Sequence, residues 1–564
     1  MKIQRSIWKP LTLALLLGAA APLHAEDAPT TAAPAETNES APAEAAVAAP
    51  QGFAALVAAL PEASYSDKAD LVQQIAASGD PAAAGVLRAM LENRLFAGTD
   101  GQVLISASEG EASSLSDAVS GQAVAAPADE PKKVGTNNSL RKTLKAAIAQ
   151  LNLADKDPAV RLAAVREMMR SVDEASTAAL RAHRESESDA KVQSAIDIGL
   201  ALADLASSEA DVRLAAVQHL QGDISSDVYN ALLPLTQKAE DGSDNEPDAR
   251  VRSAAQMAVR GIEGKRQIYS RIETLFFGLS LGSVLVLAAI GLAITFGVMG
   301  VINMAHGELI MLGAYTAYVM QQLMPQHIAL ATMLSIPAAF CVSGLMGVVI
   351  ERGIVRFLYG RPLETLLATF GLSLILQQLV RSIFSPLNRS VQTPEFMSGS
   401  LTLNDALSLT YNRLYIVIFM FIVFLALLTI LKRTSLGLKV RAVSQNRAMA
   451  RAMGVRTEWV DAATFGLGSG IAGVAGVALS QLTNVGPNLG QSYIIDSFMV
   501  VVFGGVGSLW GTLISGMSLG VVNKLLEPYA GAVMAKILVL VFLIMFIQKR
   551  PRGLFPQKGR AAEG

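Results

Sequence analysis

The sequence predicts an all-α, polytopic membrane protein of eight or nine helices, preceded by a soluble helical domain. From residue 274 to 350 the chain carries no Lys or Arg and a single acid, Glu308. Stretches of similar character recur up to residue 548, and a spanning helix needs roughly 20 apolar residues, so this half holds many crossings. Residues 1–270 are instead charged and Ala-rich, with no comparable apolar run after the first 25 residues. The net charge of -1 averages over this division and points to no partner.

At the N-terminus, Lys2, Arg5 and Lys9 precede the apolar run 11–21, and Ala25 offers a small residue ahead of Glu26 and Asp27. That pattern predicts an export signal over 1–25, with an uncleaved anchor helix as the alternative. Both place the next domain outside the cytoplasm. Residues 26–51 are Ala, Pro, Glu and Thr, a composition that buries too little apolar surface to offset chain entropy and reads as a disordered linker. The single cysteine, Cys341, lies in an apolar stretch, so the exported domain is expected to fold without a disulfide.

Residues 52–265 carry helical periodicity. Val-Arg-Leu-Ala-Ala-Val occurs at 160–165 and again at 212–217, with weaker echoes at 192–196 and 251–255. Asp157-Pro158 supplies a helix start. The pattern resembles HEAT-like helical repeats; a plain helical bundle remains the alternative. Residues 98–133, rich in Ser, Ala, Gly and acids, read as a loop between helices.

The membrane half, 270–550, is oriented by its basic segments: three arginines in 351–361, seven basic residues in 432–456 and five in 549–560. Nine crossings are expected, at 275–298, 307–323, 329–350, 363–384, 412–431, 459–482, 491–505, 509–525 and 533–548. All three basic segments then lie inside, and 551–564 forms a cytoplasmic tail. The pieces at 307 and 491 are short enough to be half-helices. Each follows a break, at Asn303 or at 484–488, and each carries one acid, Glu308 or Asp496, which suggests two inverted repeats.

Asn303, His306, Glu308 and Asp496 are the candidates for a transport path or its gate, because polar groups at membrane depth are costly. A local alternative stands beside it: Asn303 as a helix cap and Glu308 as a first-turn acid facing the helix dipole. Small-xxx-small pairs at Gly278/Gly282, Gly466/Gly470, Gly507/Gly511 and Gly516/Gly520 allow close helix packing, within the chain first and between chains second. No phosphate-binding loop is present; Gly264-Lys265-Arg266 lacks the earlier Gly and the hydroxyl, so an ATP-driven step needs another subunit. No catalytic residue and no metal site is expected, and no cofactor in this chain.

Taken together, residues 278–283, the run 300–308 with Gly313-Ala-Tyr315, the segment 435–455, and Asp496 followed by 504–511 resemble the permease family of ABC importers for branched-chain amino acids and urea. The resemblance implies a bacterial inner-membrane, multi-pass permease. It implies a second homologous permease, two cytoplasmic ATPases and a periplasmic binding protein as partners, and no nucleic acid. It further implies that 435–455 couples to an ATPase, making Gly437, Arg441, Ala442, Asn446, Ala450 and Gly454 the candidate coupling residues. The long exported extension is similar to that of urea-type permeases, so urea is the expected solute, with a branched-chain amino acid as the alternative. A passive or ion-coupled small-solute carrier is a third reading, one that would not need the segment 435–456.

Overall fold

The computed structural model describes residues 52–98, 102–107, 114–124, 131–170, 174–240 and 242–555. The expected signal over 1–25, the linker 26–51 and most of the tail, 556–564, lie outside them.

The extramembrane part begins with α1 (Phe53–Ala59), α2 (Tyr65–Ala77) and α3 (Ala83–Leu91). Where a loop was expected, the chain forms a small antiparallel sheet of order β3-β2-β1-β4, from β1 (Leu95–Ala97), β2 (Val103–Ser106), β3 (Leu115–Asp117) and β4 (Lys132–Lys133). Buried Leu95, Val103 and Val134 join this sheet to the apolar cluster under α1–α3, which is why so short a set of strands persists.

Helices then follow as α4 (Asn138–Asn152), α5 (Pro158–Met169), α6 (Glu174–Arg184), α7 (Ala190–Asp204), α8 (Ala210–Leu220), α9 (Ser226–Leu232) and α10 (Ala249–Met299). Asn137, Asp157, Asp189 and Asp248 each cap the helix that follows by accepting a backbone N–H. The repeated string has a structural reason. Arg161 Nη1 donates to the carbonyls of Asp155 and Lys156, Arg213 Nη1 to those of Ser207 and Ser208, and Arg252 Nη1 to those of Glu246 and Pro247. The arginine four residues into each helix thus fastens the turn that leads into it. Arg161 and Arg213 also fork onto Glu187 and Glu246, which begin the turns before α7 and α10.

Helix α10 runs for 51 residues, about 76 Å at the α-helical rise. The boundary expected between 265 and 270 is not a break. No proline interrupts the stretch, and Arg266 and Lys265 still hold the carbonyls of Ile224 and Gly222, so one helix belongs to both halves.

The membrane half continues with α11 (His306–Leu323), α12 (Ile328–Gly353), α13 (Pro362–Phe384) and α14 (Tyr411–Arg433). Two short helices, α15 (Ser435–Gln445) and α16 (Arg447–Ala452), precede α17 (Thr457–Ser480), α18 (Leu489–Gly504), α19 (Leu509–Ala530) and α20 (Ala532–Lys549). Among the described residues, seven helices are long and apolar enough to cross a membrane: α10, α12, α13, α14, α17, α19 and α20. The other two, α11 and α18, are the short elements expected at 307 and 491. Between α13 and α14 stands a hairpin of β5 (Ser400–Asn404) and β6 (Leu407–Thr410), a second departure from an all-helical chain.

Glycines bring the helix backbones together inside the chain. Gly278 and Gly282 meet Val521 and Met517 of α19, and Gly466 and Gly470 meet Val348 and Phe340 of α12. With no hydrophobic drive between helices in lipid, this close approach supplies the packing. The pairings interchange: α10 packs on α19 as α17 packs on α12, and α11 crosses α18. Ser343 of α12 donates to the Leu309 carbonyl of α11, and Ser515 of α19 to the Val500 carbonyl of α18. This is the pattern that two repeats of α10–α12 and α17–α19 produce.

Candidate translocation site

The break before α11 is built by the run 300–305. Gly300 ends α10 in a left-handed conformation, φ 69°, which favours glycine. Asn303, fully buried, accepts from the Ala305 N–H at 3.0 Å, and the Met304 N–H donates to Thr369 Oγ1 of α13 at 3.1 Å. His306 reaches the Ala288 carbonyl of α10 at 2.8 Å through Nε2, which must therefore be the protonated nitrogen. Asn303 and His306 thus hold the break in place and join α11 to its neighbours.

Glu308 behaves differently. Its side chain does not cap α11; it crosses to α13, where Ser373 Oγ and Gln377 Nε2 donate to Oε1 at 2.9 Å and 3.0 Å. Glu308 is 1% exposed and its Oε2 has no hydrogen-bond partner among the described residues. Gln377 also lies 3.4 Å from Gln491 of α18, and Arg381 Nη2 donates to Asn488 at 2.7 Å. Gln491 and Asn488 are exposed, so a line of polar side chains, here called the cleft, runs from Glu308 to the surface of α13 and α18. Two turns beyond Glu308 on the same face, Tyr315 packs on Phe384 with ring centroids 4.7 Å apart. Beyond that pair is a polar pocket lined by Tyr318, Gln321, Asn388, Arg389 and Gln392.

Asp496, the other candidate, stands apart from the Glu308 group: it lies on another face of α18 and takes Lys536 of α20 at 3.2 Å. Conversely, the sequence reading missed Ser373, Gln377, Arg381, Asn488 and Gln491. A signal was available: Thr365, Thr369, Ser373, Gln377 and Arg381 recur every fourth residue on a mostly apolar helix, a polar stripe that winds slowly along it.

The segment 435–456 folds as two capped helices. Thr434 accepts from the Gly437 N–H and Asn446 from the Met449 N–H. Gly437 lies against the Leu431 backbone, and Gly454 closes α16 at φ 86°. Val440, Val443 and Ala450 face inward onto Val460, with Ala442 at the edge of that cluster. Met449 and Met453 are exposed, beside Leu438 and Arg441. The two helices therefore present an outward surface that is both apolar and basic.

The family described as "Branched-chain amino acid transport system / permease component" matches residues 274–547. The high-affinity branched-chain amino acid transport system permease protein LivH of Salmonella typhimurium is 31% identical over 293 residues, 50% of this chain and 94% of LivH. The chain belongs to this permease family. BraD of Pseudomonas aeruginosa, described in the same words, is 29% identical over 297 residues, 51% of this chain and 96% of BraD. The ribose import permease protein RbsC of Escherichia coli is more distant, 27% identical over 263 residues, 45% of this chain and 77% of RbsC. No solved structure matches. Since about half of this chain covers nearly all of BraD, the extramembrane half is additional to what that permease contains. The family match begins at residue 274, inside α10.

Proposed function

We propose that the chain is the membrane-spanning permease subunit of an ATP-driven importer for branched-chain amino acids. The match to LivH over 94% of its length carries this reading. It displaces urea, the first expectation from the sequence, in favour of the alternative; the chemistry agrees, since a buried carboxylate with an open oxygen suits the ammonium of an amino acid better than a neutral amide. The extramembrane half, which LivH and BraD lack, is what keeps urea as the second reading.

Exposed polar groups at membrane depth do not face lipid. The face formed by Gln377, Arg381, Asn488 and Gln491 is accordingly the wall of the path, completed by a second homologous permease. Asn303 and His306 set the break that positions Glu308, and Tyr315 with Phe384 closes the cleft toward the outer pocket. The outward surface of α15 and α16 receives one of two cytoplasmic ATPases, which supply the ATP chemistry; a periplasmic binding protein delivers the solute. In this arrangement residues 52–265 stand on the periplasmic side of the inner membrane.

The test is uptake of radiolabelled leucine and of radiolabelled urea in cells carrying or lacking the chain together with its partner subunits. Energy-dependent leucine uptake that requires the chain is expected. Urea uptake alone would replace the substrate, and uptake insensitive to loss of the ATPases would favour the carrier reading.

A further inference from the structure

Beneath the outward surface of α15 and α16 lies a cluster of charges that neither the cleft nor that surface uses. Arg447, the first residue of α16, turns its guanidinium inward and donates from Nη1 and Nη2 to the two carboxylate oxygens of Asp461 on α17. The same guanidinium lies 4.4 Å over the ring of Tyr359, in the connector between α12 and α13. Asp461 is fully buried, and both of its carboxylate oxygens take the Arg447 guanidinium. A buried carboxylate that loses its partner is strongly destabilised, so α16 cannot move without drawing α17 along or breaking this pair. Close by, Arg352 lies 4.5 Å over Trp459 and 3.6 Å from Glu458, a second tie between α12 and the start of α17.

The elements that Arg447 joins lead to the cleft from two sides. Helix α17 packs Gly468 against the backbone of α10 at Gly291, beside His306. Helix α13 starts at Pro362, just past Tyr359, and carries the Ser373 and Gln377 that hold Glu308. One wall of the path, α13, and the helix packed behind Gly291 and His306, α17, thus lead back to one side chain.

We propose that Arg447 is a positioning residue, a clasp that passes displacement of the coupling helices to α17 and α13 and so to the Glu308 cleft. The proposal rests on the importer reading. Its test uses the whole importer in proteoliposomes, with wild-type permease, Arg447→Met, Asp461→Asn and the swap Arg447→Asp with Asp461→Arg. In Arg447→Met the ATPase subunits still co-purify and hydrolyse ATP, while solute taken up per ATP hydrolysed falls by about tenfold or more. The charge swap recovers most of that ratio, which it would not do if Arg447 acted through a partner other than Asp461. If Arg447→Met does not reach the membrane, the near-isosteric Asp461→Asn reads the same ratio. An unchanged ratio, or loss of ATPase co-purification together with uptake, overturns the clasp. A wild-type complex without ATP-dependent uptake overturns the importer reading itself and the clasp with it.

Discussion

Gly307 of α11 and Gly490 of α18 touch backbone to backbone: a Cβ on Gly307 would stand 2.6 Å from the Gly490 carbonyl oxygen. The two short helices, one from each repeat, cross at this point, a residue away from Glu308 on one side and from Gln491 on the other. Nothing at the crossing can yield except main chain. Gly307→Ala is therefore expected to cost about 1–3 kcal/mol and to separate α11 from α18. Thermal unfolding of the detergent-purified permease and leucine uptake should fall together; wild-type values for both would mean that the crossing is looser than described.

Glu308→Gln keeps the side chain's shape and an oxygen for Ser373 and Gln377 to bond, but removes the charge. Stability should change little, whereas uptake of an amino acid should fall about tenfold, the size of one lost charge-assisted hydrogen bond. Unaltered uptake would show that the carboxylate is structural.

In the extramembrane half, the Arg161 guanidinium, with the backbone amides of Asp189 and Ser188 and with His183, holds the Glu187 carboxyl well below the usual carboxylate range. Arg213 does the same for Glu246. A carboxyl whose folded value is depressed contributes stability above its ordinary value, and that contribution is lost as pH falls toward the folded value. Amide exchange of α5–α10 in the full-length protein should thus be protected at neutral pH and weaken below about pH 4. In Glu187→Gln the same region should start less protected and respond less to acid.

Gly454 ends α16 at φ 86°, where any other L residue is strained, and Arg441 stands on the outward surface. Gly454→Ala should cost about 1 kcal/mol locally and weaken ATPase co-purification by tilting the surface. Arg441→Glu should abolish co-purification without altering membrane insertion or thermal stability. The two variants separate shape from charge.

The membrane helices are legible in the sequence because lipid imposes length and apolarity on each segment independently of its neighbours, and the seven membrane-capable helices among the described residues follow from that alone. Glu308 was legible for the same reason, as an acid where none is affordable. Its destination was not. A helix has several faces, and whether Glu308 turns to the dipole, to α13 or to α18 is decided by crossing geometry at glycines such as Gly307. Asp496 illustrates the same gap: its burial is readable, its turn toward Lys536 is not. The hairpin of β5 and β6 and the sheet around β1 were hidden by their shortness. The polar stripe of α13 was readable by its spacing and went unread because Thr365, Thr369, Ser373 and Gln377 are, taken singly, mild residues, and Arg381 lies in the last turn, where a basic residue is ordinary.

The unbroken path of α10 from Asp248 to Gly300 fixes a relation of phase. A residue inserted between Arg266 and Thr274 would swing the whole extramembrane half by about 100° around the helix axis and lift it about 1.5 Å. Seven inserted residues would return it to within about 20° of its original azimuth, nearly two turns higher. Whatever this half meets, it is presented to it at one bearing and one height, as a vane on a shaft is, and the stem that sets the bearing ends six residues from the histidine that anchors the path.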